Sequence, residues 1–342
     1  MSVEEYIRSV EEHVELKLGS EPRIASALLT TLGLIELAFR NNERSEQLLE
    51  RALALRIDAG EGELGEAYHN LGRLHTAKRD FPAALASYEK SLGLRRVAHG
   101  EQHTDVGMTY QHLGSIRRRM GDFAGASRDF ASAESIWLQL HGPDSEQVAG
   151  LINNRAWIQI DLASSSEAES DEAIRRAFLE EALTHLMHSS NLIRTLAAPN
   201  DYRVGLSERS IGKVLAGLGR HEQAIERFDE AIRILSSRLG DDSDSVQDAR
   251  LLRARASLTL GRDLGQACED VALIARQREE QGRRYQAASP WKRAAAAWSL
   301  LEELERARGE RASADLAQAA RGAASAEADR LDRADFPSPP SF

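Results

Sequence analysis

Between Leu64 and Val97 the apolar residues fall at intervals of three and four. Leu64, Tyr68, Leu71, Leu74 and Ala77 make one stripe, and Leu85, Tyr88, Leu92 and Leu94 to Val97 make a second. A helix turns once every 3.6 residues, so each stripe is one face of an amphipathic helix. Asp80-Phe81-Pro82 separates the two. The aspartate suits an N-cap and the proline a first helical turn, where its missing N–H costs nothing. His99-Gly100 closes the second helix, the glycine being free to adopt a left-handed C-cap.

The pair repeats. Tyr68-His69-Asn70-Leu71-Gly72 returns as Tyr110-Gln111-His112-Leu113-Gly114 and again as Ile152-Asn153-Asn154-Arg155-Ala156, each time after 42 residues. Phe81 and Phe123, Ala84 and Ala126, Tyr88 and Phe130, and His99-Gly100 and His141-Gly142 keep the same step. Gly114 to Gly212 and Gly142 to Gly240 are both 98 apart, two periods plus 14. The surplus falls at 164–177, where Ser-Ser-Ser-Glu-Ala-Glu-Ser-Asp predicts a solvated loop or helix extension. The period resumes from Gly212 to Ala254 and from Gly219 to Gly261, and upstream a step of 39 joins Gly33 to Gly72 and Ser45 to Ala84. Two columns of small residues run through the array. Gly72, Gly114, Ala156, Gly212 and Ala254 form one, Ala84, Ala126, Ala182 and Ala224 the other, with Tyr88, Phe130, Leu186 and Phe228 as their large partners. Small side chains at these positions predict close helix crossings that a bulky residue would overpack.

This pattern resembles the tetratricopeptide repeat, and its 42-residue step, in place of the usual ~34, resembles the long variant of kinesin light chains and of bacterial modular signalling proteins. His141-Gly142-Pro143-Asp144, Val148, Leu151-Ile152-Asn153-Asn154 and Gly121-Asp122-Phe123 carry the match, which covers about 23–281. The resemblance implies an all-α fold, a right-handed superhelix or α-solenoid of about six helical hairpins. Their expected limits are 23–60, 62–100, 104–142, 145–198, 201–240 and 243–281, the fourth carrying the insertion and the sixth having Asp263-Leu264 one residue late. Val3, Ile7, Val10 and Val14 predict a cap helix within 1–20; Trp291, Ala295, Trp298 and Leu301 begin C-terminal cap helices over 282–333; a disordered tail is expected over 334–342. The stretch from Leu18 to Arg56 is similar to the entry segment of repeat arrays in bacterial modular Ser/Thr kinases. The kinase's own metal-binding and catalytic-loop motifs are absent from the sequence: Asp122-Phe123-Ala124-Gly125 is not Asp-Phe-Gly, and Lys78-Arg79-Asp80 lacks the loop histidine.

Composition narrows the function. With 54 acidic against 44 basic residues the formal charge is −10, which argues against a general phosphate-binding role and hence against nucleic acid. One cysteine, Cys268, excludes a disulfide scaffold and cysteine zinc knuckles. Met1-Ser2-Val3-Glu4-Glu5 does not read as a signal peptide, and the apolar run from Ile24 to Phe39 contains Glu36 and is too short to span a bilayer. A cytoplasmic protein without membrane partners is the expectation.

In the tetratricopeptide family the groove positions lie on the first helix of each hairpin. Carried onto this sequence, one column is His69, Gln111, Asn153 and Arg209, and a second, one turn on, is Arg73, Ser115, Trp157, Lys213 and Arg255, with Asn70, His112, Asn154 and Ser210 beside them. No carboxylate occurs in these columns. Amides can donate to and accept from an extended peptide backbone, and Arg209, Lys213 and Arg255 can pair with partner carboxylates. The reading is a non-catalytic, monomeric scaffold binding an extended or acidic peptide without cofactor or metal. Two alternatives stand beside it: a regulatory or sensory module controlling a kinase or transcription partner, and self-association through exposed Trp291 and Trp298.

Other motifs read as background. His185 and His188 lack a third metal ligand; Gly205 to Lys213 has the wrong spacing for a phosphate loop and falls within a helix; Cys268 is expected to be a buried small side chain; Arg117-Arg118-Arg119 is expected to be a solvated helix end.

Overall fold

The computed structural model describes residues 21–39, 41–58, 64–165, 168, 170–198, 200–285 and 287–335. The cap helix expected within 1–20 and the tail over 336–342 lie outside the described residues. Those described hold fourteen helices and no strand. In order they are α1 (Pro22–Ala38), α2 (Asn42–Asp58), α3 (Leu64–Ala77), α4 (Phe81–His99), α5 (Thr104–Arg119), α6 (Phe123–His141) and α7 (Glu146–Leu162), then α8 (Glu172–Leu196), α9 (Tyr202–Gly217), α10 (His221–Leu239), α11 (Asp244–Leu260), α12 (Leu264–Tyr285), α13 (Ala288–Arg308) and α14 (Arg311–Asp335). This is the all-α hairpin-repeat architecture of the α-solenoid class. The chain forms two compact units, 1–158 and 159–342.

In the first unit, α1 packs on α2, α3 on α4 and α5 on α6. The small-residue columns sit where these hairpins cross. A Cβ built on Gly33 would lie 2.8 Å from Leu49, on Gly72 2.7 Å from Tyr88, and on Gly114 2.6 Å from Phe130. Ala84, Ala126, Tyr88 and Phe130 are all at most 1% exposed. A second close approach, 30 residues apart instead of 16, escaped the sequence reading. Gly65 lies under Arg95 and Gly107 under Trp137, with a would-be Cβ at 2.9 and 3.0 Å. In α3 and α5 the first helix therefore meets its partner helix at two levels, and glycine holds both.

The caps follow the sequence, with one refinement. Asp80 Oδ1 accepts from the Ala83 N–H at 3.1 Å and Asp122 Oδ1 from the Gly125 N–H at 2.8 Å. Gly100 and Gly142 have φ of 81° and 80°, but ψ of 177° and 174°. That is not the left-handed helical cap but an extended positive-φ conformation open essentially to glycine alone.

In the second unit α9 packs on α10, α11 on α12 and α13 on α14. Gly212 faces Phe228 and Gly205 faces Leu235, repeating both crossings. The insertion is helix in its second half: Asp171 Oδ1 accepts from Ala173 and Ile174, and α8 runs 25 residues. Trp291 and Trp298 are 8% and 9% exposed, inside a cluster with Ala267, Val271, Ala294 and Leu301. Their expected role as an exposed self-association surface is therefore withdrawn. They are core, and the Trp298 indole N–H donates to Glu279 Oε1 at 2.7 Å. No helix among the described residues is long and apolar enough to cross a membrane.

Candidate groove residues and the repeat family

In the first unit the first helices α3, α5 and α7 stand side by side, as their contacts show. His69 on α3 meets the His112 ring on α5 at 4.9 Å. The Gln111 amide on α5 lies 3.6 Å from where a Cβ on Gly150 of α7 would sit. The Arg118 guanidinium on α5 lies 5.9 Å from the centre of the Trp157 ring on α7.

The expected wall residues divide in two. Gln111, His112, Ser115, Asn153, Asn154 and Trp157 are half-buried and Arg73 is exposed, as a binding surface needs. His69 and Asn70 are buried, at 5% and 4% exposure, so His69 is not the solvent-facing position that the column predicted. Its Nδ1 accepts from Arg95 Nη1 at 3.1 Å, and its ring packs edge-on against Tyr88 and His112. Burial, then the positive charge of Arg95, holds its pKa down at about 2. His112, stacked on Tyr88 at 5.1 Å, is lowered to about 4, by burial first and then by Arg73 and Arg95. Both imidazoles are therefore neutral at physiological pH and add polarity without charge. Asn70 accepts from Arg73 Nη1 at 3.5 Å, while its buried Nδ2 has no hydrogen-bond partner among the described residues. Ser115 Oγ is spent on the Gln111 carbonyl at 2.9 Å.

The basic run at the end of α5 is not merely solvated. Arg117 pairs with Asp129, Glu89 and Asp122, binding α5 to α4 and α6. Arg119 lies 5.8 Å from the centre of the Phe81 ring.

In the second unit Lys213 and Arg255 are exposed. Arg209 is not bare: its Nη1 lies 3.9 Å from Asp248 Oδ2, and Asp248 also receives the buried Arg278 at 3.2 Å. The columns read as free of carboxylate because Asp248 stands outside their register. Glu208, also missed, is 1% exposed and takes Arg194 and Ser190 on Oε1, at 3.0 and 3.2 Å, and Arg227 on Oε2 at 3.0 Å. Its signal was present in the sequence. Val204, Glu208, Ile211 and Leu215 fall at four, three and four, which puts a carboxylate on a buried stripe. Ser210 is also buried, with Oγ donating to the Leu206 carbonyl. A cavity of about 410 Å³ opens between α8, α9 and α10, floored by Leu183, Met187, Ile211 and Leu215. His185 faces Glu181 at 3.5 Å and His188 is exposed. Cys268 is buried, and burial pushes its thiol pKa up.

Comparisons with known proteins agree with this architecture. Residues 23–96 and 63–135 match the family model of the tetratricopeptide repeat. Protein KINESIN LIGHT CHAIN-RELATED 1 of Arabidopsis thaliana is 23% identical over 226 residues, 66% of this chain and 34% of that one. The chain thus spans about a third of the length of that relative, and 22% of KINESIN LIGHT CHAIN-RELATED 2. Among solved structures, BtubC (BKLC) from P. vanneervenii superposes with a TM-score of 0.52 at 18% identity, over 69% of this chain and 92% of that one. The Rap conjugation gene regulator of the plasmid pLS20, solved in complex with the Phr* peptide, superposes with a TM-score of 0.55 at 14% identity, over 93% of this chain and 79% of that one. At such identity these two structures establish shared fold. Together with the glycine crossings and the 42-residue step, these findings support tetratricopeptide repeats of the kinesin-light-chain type in this chain, the family model itself matching residues 23–135.

Proposed function

We propose that this protein is a non-catalytic interaction module that takes an extended peptide segment of a partner along the first helices of its hairpins. One observation carries the reading: Gln111, Asn153, Asn154 and Trp157 stand half-buried on adjacent helices of the first unit, giving amide donors and acceptors beside an aromatic face. An extended backbone offers N–H and C=O groups at intervals that such amides match, and indole covers apolar side chains. Within the second unit, Lys213, Arg255 and, in competition with Asp248, Arg209 would meet acidic residues of a partner. The reading takes the protein to be cytoplasmic and monomeric, without nucleic-acid or membrane partners, consistent with its net charge of −10.

The test is peptide selection. Peptides selected from a displayed random library against the wild-type chain should lose binding to a Gln111→Ala, Asn154→Ala double variant, with helicity unchanged. Selected peptides that bind the double variant equally well would end the groove assignment.

A second reading is a peptide-responsive regulator. It is favoured by the Rap regulator's fold running along 93% of this chain, that protein having been solved with a peptide. The two readings separate by small-angle scattering. A scaffold keeps its profile when a selected peptide binds, and a regulator changes it.

A further inference from the structure

The junction between the second and third repeats carries a side-chain cluster that the groove does not use. α4 ends on His99, Gly100 turns the chain, and His103 and Asp105 open α5. The rings of His99 and His103 stack with centroids 4.3 Å apart and planes 17° from parallel. Asp105 Oδ2 lies 4.0 Å from His99 Nε2 and 3.7 Å from His103 Nδ1. One donor atom from each of the three residues falls within 4.8 Å of the other two. We propose that His99, His103 and Asp105 form a binding site for one divalent transition-metal ion of the zinc type, joining the end of α4 to the start of α5.

Four observations carry this. The first is distance. Zinc binds imidazole nitrogen and carboxylate oxygen at about 2.0–2.2 Å, so two ligands of a tetrahedral ion lie about 3.3 Å apart. The two separations from Asp105 need to contract by about 0.4 and 0.7 Å, the two imidazole donors by at most about 1.5 Å, and the stacked rings must turn so that their in-plane lone pairs converge, which partly exposed side chains allow.

The second is protonation. The Asp105 N–H donates to His103 Nδ1 at 3.1 Å, so that nitrogen carries its lone pair and the proton sits on Nε2. A metal at Nδ1 displaces one cap hydrogen bond and requires no change of tautomer.

The third is the orientation of Asp105. Glu66 stands ten residues past Arg56, as Asp105 stands ten past Arg95, although Glu66 lies three residues further along its repeat. Glu66 points at the buried Arg56, the counterpart of Arg95, with Nη1 to Oε2 at 3.2 Å. Asp105 gives Arg95 only its backbone carbonyl, at 3.1 Å, and turns its carboxylate to the two histidines. Arg95 spends the same Nη1 on His69 and Thr109 inside the core.

The fourth is space. His99 and Asp105 line a cavity of about 330 Å³ whose remaining wall includes Gly65, Glu66, Leu94 and Arg95. Water within it can complete the coordination. The acids Glu66 and Asp105 offset the Arg95 charge on that wall, and Glu101 on the loop is held by Arg96. The other junctions lack the set: His141, Ser145 and Gln147 stand at the matching positions one repeat on, and Leu239, Ser243 and Ser245 further along. The site therefore marks one junction, where an ion would staple two hairpins that otherwise meet through side-chain packing.

The experiment uses the purified full chain, stripped with chelator and titrated with zinc by calorimetry and with cobalt by visible absorption. His99→Ala is the main variant, because His99 is exposed, ends α4 and caps nothing. Asp105→Asn, which keeps the backbone N–H to His103, is the second, and His188→Ala the control. The expected result is one saturable equivalent, a tetrahedral cobalt band, and slower amide exchange at the end of α4 and the start of α5. Affinity should fall at least about tenfold in His99→Ala and in Asp105→Asn, and stay unchanged in His188→Ala. No saturable binding, or one equivalent that persists unweakened in His99→Ala, would overturn the proposal. The readout needs no peptide partner, so it stands or falls separately from the groove.

Discussion

The two units carry the same repeat but line the same register with different chemistry. In the first, the wall over α3, α5 and α7 is amide, imidazole and indole, and its two histidines are held neutral by burial and by Arg73 and Arg95. In the second, the corresponding turn of α9 is charged. Glu208 is buried and receives Arg194 and Arg227, while Arg209 shares Asp248 with Arg278. The difference shows that the hairpin fixes where a side chain stands and leaves open whether it is a contact surface or an internal strut. Neutral amides at partial exposure retain hydrogen-bonding capacity for a ligand. A carboxylate at 1% exposure needs its arginines to be buried at all.

The sharpest way to break this contrast is Glu208→Leu. Removing the carboxylate leaves Arg194 and Arg227 without their shared acceptor and places a hydrocarbon side chain among them. Because both arginines are partly exposed and can rehydrate, the expected loss is about 2–3 kcal/mol, below that of a fully buried pair. Urea unfolding of the full chain checks it, and an unchanged midpoint would show that the network is decorative. Next comes Gly114→Leu, which drives a side chain into Phe130 in the first unit. The expected cost is about 1–3 kcal/mol, and the equivalent Gly212→Leu against Phe228 should cost as much, since the crossings share a geometry. Unequal losses would mean that the units differ in their packing as well as in their polar lining.

Acidity separates the units by a smaller slope. His69 and His112 have folded pKa values near 2 and 4, below the ordinary imidazole value of 6.5. Between about pH 4 and 6.5 the unfolded chain binds protons that the folded chain refuses, so stability falls as pH falls through that window and is fully present above it. Each histidine contributes at most about 1.4 kcal/mol per pH unit. Amide protection factors, each referred to the unfolded exchange rate at the same pH, should fall in α3 and α5 from pH 7 to pH 5, and His112→Asn should flatten the slope. The smallest stability effect belongs to Asn153→Ala with Asn154→Ala, within about 0.5 kcal/mol. A larger loss would mean that these amides support the fold and are not held for a ligand.

Much of this architecture was legible in the chain. Helix pairs, the 42-residue step and the aromatic partners of the small residues all follow from periodicity, because a hairpin repeats only if its crossings repeat. The second glycine level, Gly65 and Gly107, was equally periodic but is revealed only once its partners Arg95 and Trp137, 30 residues away, are seen above it. The expected wall residues differ in exposure. Gln111, Asn153, Asn154 and Trp157 are half-buried, whereas His69 turned inward because Arg95 and Tyr88 supply it with a donor and a ring face.

The sequence by itself determined the class of fold and the N-cap at Asp80, since helix periodicity and capping depend on interactions within one or two turns. Only the tertiary structure decided that Trp291 and Trp298 are core, that Asp248 stands beside Arg209, and that Asp105 turns from Arg95 toward two histidines. Those outcomes depend on which side chain on a neighbouring helix reaches first. That competition is set by a few ångströms of geometry, which periodicity does not record.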